Sequence, residues 1–269
     1  MVNVEKEIDY FISKGNINFP DEVLFGNALA KTLKNQKSDA NNTTKFSADS
    51  KTIRAIIDNA ENGYLHPKEV KELLISAQIP IVKEIVCETK DNCISVIQEL
   101  GFPVVMKVIG PVHKSDVGGI VLNITTNEKL VDSFNKIMKI DGVTSVLIQP
   151  MKKGIELFIG AKKEGNFGHL VLCGLGGIYI EILKDVNSAL APVSIPEAVE
   201  MIQNLKSYKI LQGIRNQEGI DEIEFAEIIT KISNLVEIAP EIAELDLNPL
   251  LGNSKEIIAV DARIRIEKS

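Results

Sequence analysis

Cysteine is scarce in this 269-residue chain, basic residues are outnumbered, and long apolar runs are missing. The three cysteines, Cys87, Cys93 and Cys173, have no metal-ligand spacing, and their odd number argues against a disulfide framework. Reduced thiols in or near a core, in a cytoplasmic protein, are the expectation. With 30 Lys and Arg against 37 Asp and Glu, the formal net charge is −7. That balance argues against a general binder of nucleic acid or of a membrane surface, because either needs a basic face. A nucleotide site stays open, since it needs only a few local cations. No window approaches the ~18 consecutive apolar residues of a membrane-spanning helix. Met1 to Tyr10 carries acidic residues and has no apolar signal-peptide core. Also missing are a strand-associated G-x-G-x-x-G, a G-x-x-x-x-G-K-[ST], a G-x-S-x-G elbow and an H-E-x-x-H pair. Dinucleotide-binding, P-loop, serine hydrolase and zinc peptidase chemistry all lose support from that. No internal repeat stands out.

What is present is an ordinary globular balance, 45% apolar and 25% charged residues, over a length that suits one large or two modest cores. Residues 1–50 differ from the rest. Ile8 to Lys14 and Asp21 to Leu33 suit short helices. Lys34 to Ser50 is polar, and its run Asn41-Asn42-Thr43-Thr44 reads as linker. Beyond residue 50 the spacing predicts helices over Ser50–Asn62, Pro67–Ala77, Lys90–Leu100, Glu128–Ile140, Pro196–Leu205 and Asp221–Ala239. Strands are expected over Ile79–Val86, Pro103–Ile109, Ile120–Ile124, Ser145–Pro150, Glu156–Lys162, His169–Cys173, Ile178–Leu183, Ala243–Leu251 and Glu256–Ile266. The strands crowd into the second half and look antiparallel there, so the expected class is α+β with two lobes. We expect an extension over 1–50, one lobe over 51–145 and another over 146–269.

A few residues break the apolar pattern in ways that suggest chemistry. Lys107 sits inside Val104-Val105-Met106-Lys107-Val108-Ile109, on the strand face it shares with Val105 and Ile109. A lysine there either reaches water along the strand edge or meets an anion. The loop Val112-His113-Lys114-Ser115-Asp116-Val117-Gly118-Gly119 follows, and its glycines let backbone N–H groups approach phosphate oxygens. Near the C-terminus Asp246 and Asn248 alternate onto one strand face, and Asp261 lies in the next apolar run. A hairpin brings Asn248 and Asp261 together as oxygen ligands of the kind Mg²⁺ takes alongside phosphates, or leaves two polar strand residues satisfied by hydrogen bonds. Glu156 opens a strand, and suits either a ligand contact or a solvated strand end. Ile148-Gln149-Pro150-Met151 joins two strands, where backbone groups can read a base edge. Gly174-Leu175-Gly176-Gly177 reads as a tight joint, and His66 and His169 as structural residues.

These motifs together resemble a known family. The stretches GFPVVMKV, VHKSDVGGIVL, VLIQPMKKGIELFIG, FGHLVLCGLGGIYIEILKDV, LAPVS, AELDLNPLL and AVDARI run in order over roughly 200 residues. They are similar to the β subunit, or ATP-grasp part, of ADP-forming acetyl-CoA (acyl-CoA) synthetases, relatives of the succinyl-CoA synthetase β subunit. The resemblance implies an ATP-grasp fold with ATP or ADP and Mg²⁺ between two α+β lobes. It implies that Lys107 binds the phosphates, that the loop through Gly118 and Gly119 covers them, and that Gln149 and Met151 lie at the adenine hinge. Glu156 is then on the nucleotide side, Asn248 and Asp261 are Mg²⁺ ligands with Asp246 nearby, and His113 accepts a phosphoryl group. A neutral imidazole nitrogen suits that role near physiological pH. Two positions depart from the pattern: Ala189 stands where many relatives have arginine before the LAP motif, and Asn216 where glycine often follows the arginine.

The resemblance further implies a reaction, acyl-CoA + ADP + phosphate ⇌ acid + CoA + ATP, performed with an α subunit that carries the CoA-binding domain, in a heterotetramer. Gly15 to Asn35 is similar to the tail that ends the α part in fused members, so a fragment of a fused synthetase, inactive without its α part, is one alternative reading. Two further alternatives stand beside this: a nucleotide-binding regulatory module without chemistry of its own, and a carboxylate–amine ligase acting alone. The latter loses support because nothing in the sequence resembles an acceptor-binding domain.

Overall fold

A computed structural model describes residues 5–34, 46–109, 118–177, 185–214 and 218–268. In chain order its elements begin with α1 (Glu5–Ser13), α2 (Glu22–Lys34), α3 (Ser50–Asn59), β1 (Gly63–Tyr64), α4 (Pro67–Ser76), β2 (Ile85–Cys87) and α5 (Lys90–Leu100). Then come β3 (Val104–Ile109), β4 (Ile120–Ile124), α6 (Asn127–Ile137), β5 (Ser145–Pro150), β6 (Ile155–Lys163), a 3₁₀ turn (Gly165–Phe167), β7 (His169–Leu175) and β8 (Val186–Leu190). The rest is α7 (Ile195–Gln203), α8 (Tyr208–Leu211), α9 (Glu222–Ile238), β9 (Ile242–Gly252), β10 (Ile257–Ala259) and β11 (Ala262–Ile266). Local chemistry starts these helices. Thr89, Thr126, Ser194 and Asp221 each accept hydrogen bonds from first-turn N–H groups. His66 does the same for α4, where Pro67 opens the helix. Gly101 ends α5 at a φ of +68°, which glycine adopts without strain.

The smaller sheet has the order β2-β5-β3-β4, antiparallel throughout. One face of it, including Val104, Met106, Val108, Val146 and Ile148, packs with Cys93 of α5 and with Leu130, Phe134 and Ile137 of α6. The opposite face holds Val105, Lys107, Leu147 and Gln149, all at most 9% exposed. That face is covered because the second lobe meets it.

The larger sheet has the order β1-β11-β9-β6-β7-β8, with β10 also on β9. Its apolar face, from Leu157, Ile159, Val171, Cys173, Leu245 and Leu247, packs against Phe225, Ile228, Ile229 and Ile232 of α9. Ile53 and Ile57 of α3 and Leu73 and Leu74 of α4 belong to the same core. Each such side chain contributes roughly 1.5–3 kcal/mol by leaving water. The two cores therefore do not follow the chain's halves in order: residues 53–79 lie with the larger sheet, and β5 stays in the smaller one.

Two expected strands are divided. Of the run Ile79–Val86 only Ile85 and Val86 join the smaller sheet, in the strand Ile85–Cys87. Pro80 has no N–H for a ladder, and the run instead crosses beside Ala259, whose N–H donates to Pro80 O at 2.9 Å while Val82 N–H donates to Ala259 O at 2.9 Å. Glu256–Ile266 becomes β10 and β11, because the long β9 bulges at Asn248–Pro249 and its partners pair on either side of that point. Val260 and Asp261 fall in the gap. The helix expected over Glu128–Ile140 ends at Ile137. Strand β8 and the short helix α8 appear without having been expected, since neither carries a regular apolar period. The expected strand Ile178–Leu183 lies outside the described residues. Among the described residues, no helix is long and apolar enough to cross a membrane.

Candidate functional site

The two lobes meet where the break in the larger sheet faces β3 and β5. Lys107 is on the interior strand β3, so the edge position that would let it reach water along the sheet is not available. Its Nζ donates to Val260 O at 2.7 Å, 153 residues further along the chain. Gln149 Nε2 donates to the same carbonyl at 3.2 Å and to Glu84 Oε2 at 2.9 Å. Pairing of Val105 with Gln149 and of Lys107 with Leu147 puts both polar side chains on one face of the smaller sheet. Met151 leaves β5 with its N–H donating to Pro103 O at 2.8 Å.

The larger sheet contributes oxygen. Ala262 pairs with Leu247 and Ala259 with Leu250, so Val260 and Asp261 stand across from Asn248 and Pro249. Val260 N–H donates to Pro249 O at 3.1 Å and closes the gap. The register thus brings Asn248 and Asp261 to one place. Asn248 Oδ1 accepts from Gly177 N–H at 2.9 Å, which anchors the amide with its oxygen toward that joint. Glu156 also reaches this joint: a Cβ on Gly177 would collide with its carboxylate, and a Cβ on Gly176 with Leu157 O. Gly177 has a φ of +60°, so its backbone conformation favours glycine, while the Leu157 backbone leaves no room for a side chain at Gly176. The tight joint seen in the sequence is a seat for two polar side chains. An all-oxygen set of one carboxylate and one amide fits Mg²⁺, which keeps waters and phosphate oxygens as its remaining ligands.

Asp246 is two residues before Asn248 on the same face, opposite Arg263 on one side and Gly160 on the other. Its Oδ1 is buried without a hydrogen-bond partner among the described residues. Burial pushes the carboxyl's pKa up to about 6, with Arg263 opposing the rise and Asp261 and Glu244 adding to it. A buried carboxyl whose pKa is raised by desolvation is able to hold a proton at this junction.

The remaining expected residues are placed as follows. Gly118, with a φ of +68°, and Gly119 lead into β4, and Gly119 O accepts from Val108 N–H at 2.8 Å. His113 and the rest of its loop lie outside the described residues, as does the Arg215-Asn216 pair. Ala189 sits in β8 opposite Val171. His66 caps α4, and His169 is buried with Nε2 2.7 Å from Ile242 O. Cys87, Cys93 and Cys173 are buried free thiols, and burial pushes Cys173 up to about 12. Sequence reasoning missed Glu84 and the Val260 carbonyl, because a lone glutamate before a strand and a backbone oxygen carry no local pattern.

The model of the ATP-grasp domain matches residues 57–266. The 4-hydroxybutyrate–CoA ligase [ADP-forming] of Nitrosopumilus maritimus is 36% identical over 234 residues, covering 81% of this chain but 33% of its own length. The chain thus spans about a third of that relative. The acetate–CoA ligase [ADP-forming] I subunit beta of Pyrococcus furiosus is 37% identical over 223 residues, covering 78% of this chain and 96% of that subunit. Among solved structures, the acetyl-coenzyme A synthetase 1 of Candidatus Korarchaeum cryptofilum aligns with a TM-score of 0.70 at 32% identity. The match covers 82% of this chain and all of that one, which was solved with coenzyme A and Mg-AMPPCP and with a phosphohistidine segment pointing towards the nucleotide binding site.

Proposed function

Because this chain belongs to the ATP-grasp family, we propose that it is the nucleotide-binding β part of an ADP-forming acyl-CoA synthetase. The reaction proposed is acyl-CoA + ADP + phosphate ⇌ acid + CoA + ATP. It requires an α partner that supplies the CoA and acyl sites, in a heterotetramer, in the cytoplasm. Residues 1–50 are read as an extension related to the end of an α part, and the chain beyond as the two lobes around the nucleotide.

One observation carries this reading: cation, amide and carboxylate groups from two sheets meet at a single junction between the lobes. Lys107 would exchange the Val260 oxygen for a phosphate oxygen, since a full negative charge is the better acceptor for an ammonium. Gly118 and Gly119 would cover the phosphates with backbone N–H groups. Asn248 and Asp261 would hold Mg²⁺, which when bound neutralises phosphate charge. Glu156, seated at Gly177, would face the nucleotide, and Gln149 and Met151 its base. His113 would receive the phosphoryl group and pass it to a histidine of the α partner. Phosphoryl transfer is governed by positioning and charge neutralisation, which this set supplies.

Calorimetric titration of the full chain with ADP and ATP, with and without Mg²⁺, tests the reading. Binding should be Mg²⁺-dependent, and Asp261→Asn should weaken it at least roughly tenfold while abolishing the metal dependence. Undiminished affinity in that variant removes Asp261 from the metal site.

A further inference from the structure

The orientation of the Gln149 amide is fixed by the chemistry of its neighbours. Its Nε2 meets two groups, the Glu84 carboxylate at 2.9 Å and the Val260 carbonyl at 3.2 Å. Both are acceptors only, so the nitrogen must face them and Oε1 must face away. An amide nitrogen has two hydrogens, and two partners use both. Oε1 has no partner among the described residues, yet it is not among their sealed, unsatisfied side-chain atoms, which are Glu197 Oε2, Ser207 Oγ and Asp246 Oδ1. The Gln149 side chain can therefore offer a ligand one thing, a hydrogen-bond acceptor.

Its place along the strand says which part of a ligand meets that acceptor. Gln149 is two residues from Leu147, the partner of Lys107, so it lies roughly 7 Å along β5 from the phosphate-binding lysine. The displacement runs toward the Met151–Gly154 connection between the lobes. A nucleotide with its phosphates at Lys107 would bring its base to this end.

We infer that Glu84 is a positioning residue: by locking Gln149 as a pure acceptor, it makes the cleft select a base with an exocyclic amino group, adenine, over one with a carbonyl oxygen there, guanine or hypoxanthine. This rests on the proposal that the cleft binds nucleotide. An adenine amino group donates to Oε1, whereas a guanine or hypoxanthine O6 sets two acceptors against each other with no proton between them. Without the Glu84 carboxylate, Val260 alone no longer engages both amide hydrogens, and the amide can turn its nitrogen to the base.

The test is calorimetric titration of the full chain with ADP, GDP and IDP at saturating Mg²⁺, in the wild type and in Glu84→Leu, which has no acceptor at that position, and Gln149→Met. The wild type should favour ADP over GDP and IDP by at least roughly tenfold, the worth of one hydrogen bond with a mismatched alternative. Glu84→Leu should bring that ratio close to one with a smaller change in ADP affinity, a result that general loosening of the fold would not give. Gln149→Met removes the acceptor and should erase the ratio as well, so the inference stays testable if the Glu84 variant does not fold. Equal binding of ADP and GDP by the wild type, or a ratio that survives both substitutions, overturns the role of Glu84 and leaves the nucleotide site standing. Binding of none of the three would overturn the nucleotide site, and this inference with it.

Discussion

Asp246 is held among charges of both signs, and its titration has a consequence for stability. Its carboxyl is raised from the ordinary 3.8 to about 6, burial being the main cause. An acid raised in the folded state keeps its proton longer there than in the unfolded chain. Stability then falls as pH rises between the two values, and above about pH 6 the full penalty is present. Asp246→Asn should raise the melting temperature at about pH 7.5, by the equivalent of roughly 1–3 kcal/mol, and leave it nearly unchanged near pH 4. A melting temperature that drops at neutral pH would show that the charge is needed against Arg263. At this scale the sequence was informative where a residue type contradicts its surroundings. Lys107 inside an apolar strand, and Asp246, Asn248 and Asp261 in alternation with leucine and valine, are such contradictions. Glu84 is not, because its meaning depends on Gln149, 65 residues away, and on a sheet break that no local pattern announces.

Helix starts were the most legible elements, because their chemistry is local. Asp221 accepts from both Ile223 N–H and Glu224 N–H at 3.0 Å and begins the helix that carries Phe225, Ile228 and Ile232 into the larger core. Asp221→Ala should lower unfolding free energy by about 1 kcal/mol with an unchanged denaturant slope, measured in urea. A loss near zero would mean that packing of α9 makes the cap redundant. Strand interruptions were hidden, since a strand's extent is set by its neighbours. The apolar run through Ile257 to Ile266 reads as continuous, and only its pairing with a bulged β9 opens the gap in which Asp261 sits.

For the molecule as a whole, the α+β class and the two-lobed plan follow from the crowding of strands after residue 143, while the allocation of α3 and α4 to the larger core does not, because it depends on a crossing between lobes. The N-terminal helices stand apart from both cores: Tyr10 is 65% exposed and Val23 67%. Every candidate site residue lies between Glu84 and Asp261, so a chain beginning at Phe46 should bind Mg²⁺-ADP within about twofold of the full chain. A larger loss in calorimetry would tie the extension to the cleft. The tie between the lobes has a further consequence, for variation among relatives. Lys107 and Gln149 both end on the backbone oxygen of Val260, which every amino acid possesses. Proline is excluded, since Val260 N–H donates to Pro249, but the other side chains at 260 can drift without touching the bond. An alignment of homologues should therefore show position 260 as variable, with the constraint appearing only at the lysine and glutamine that converge on it.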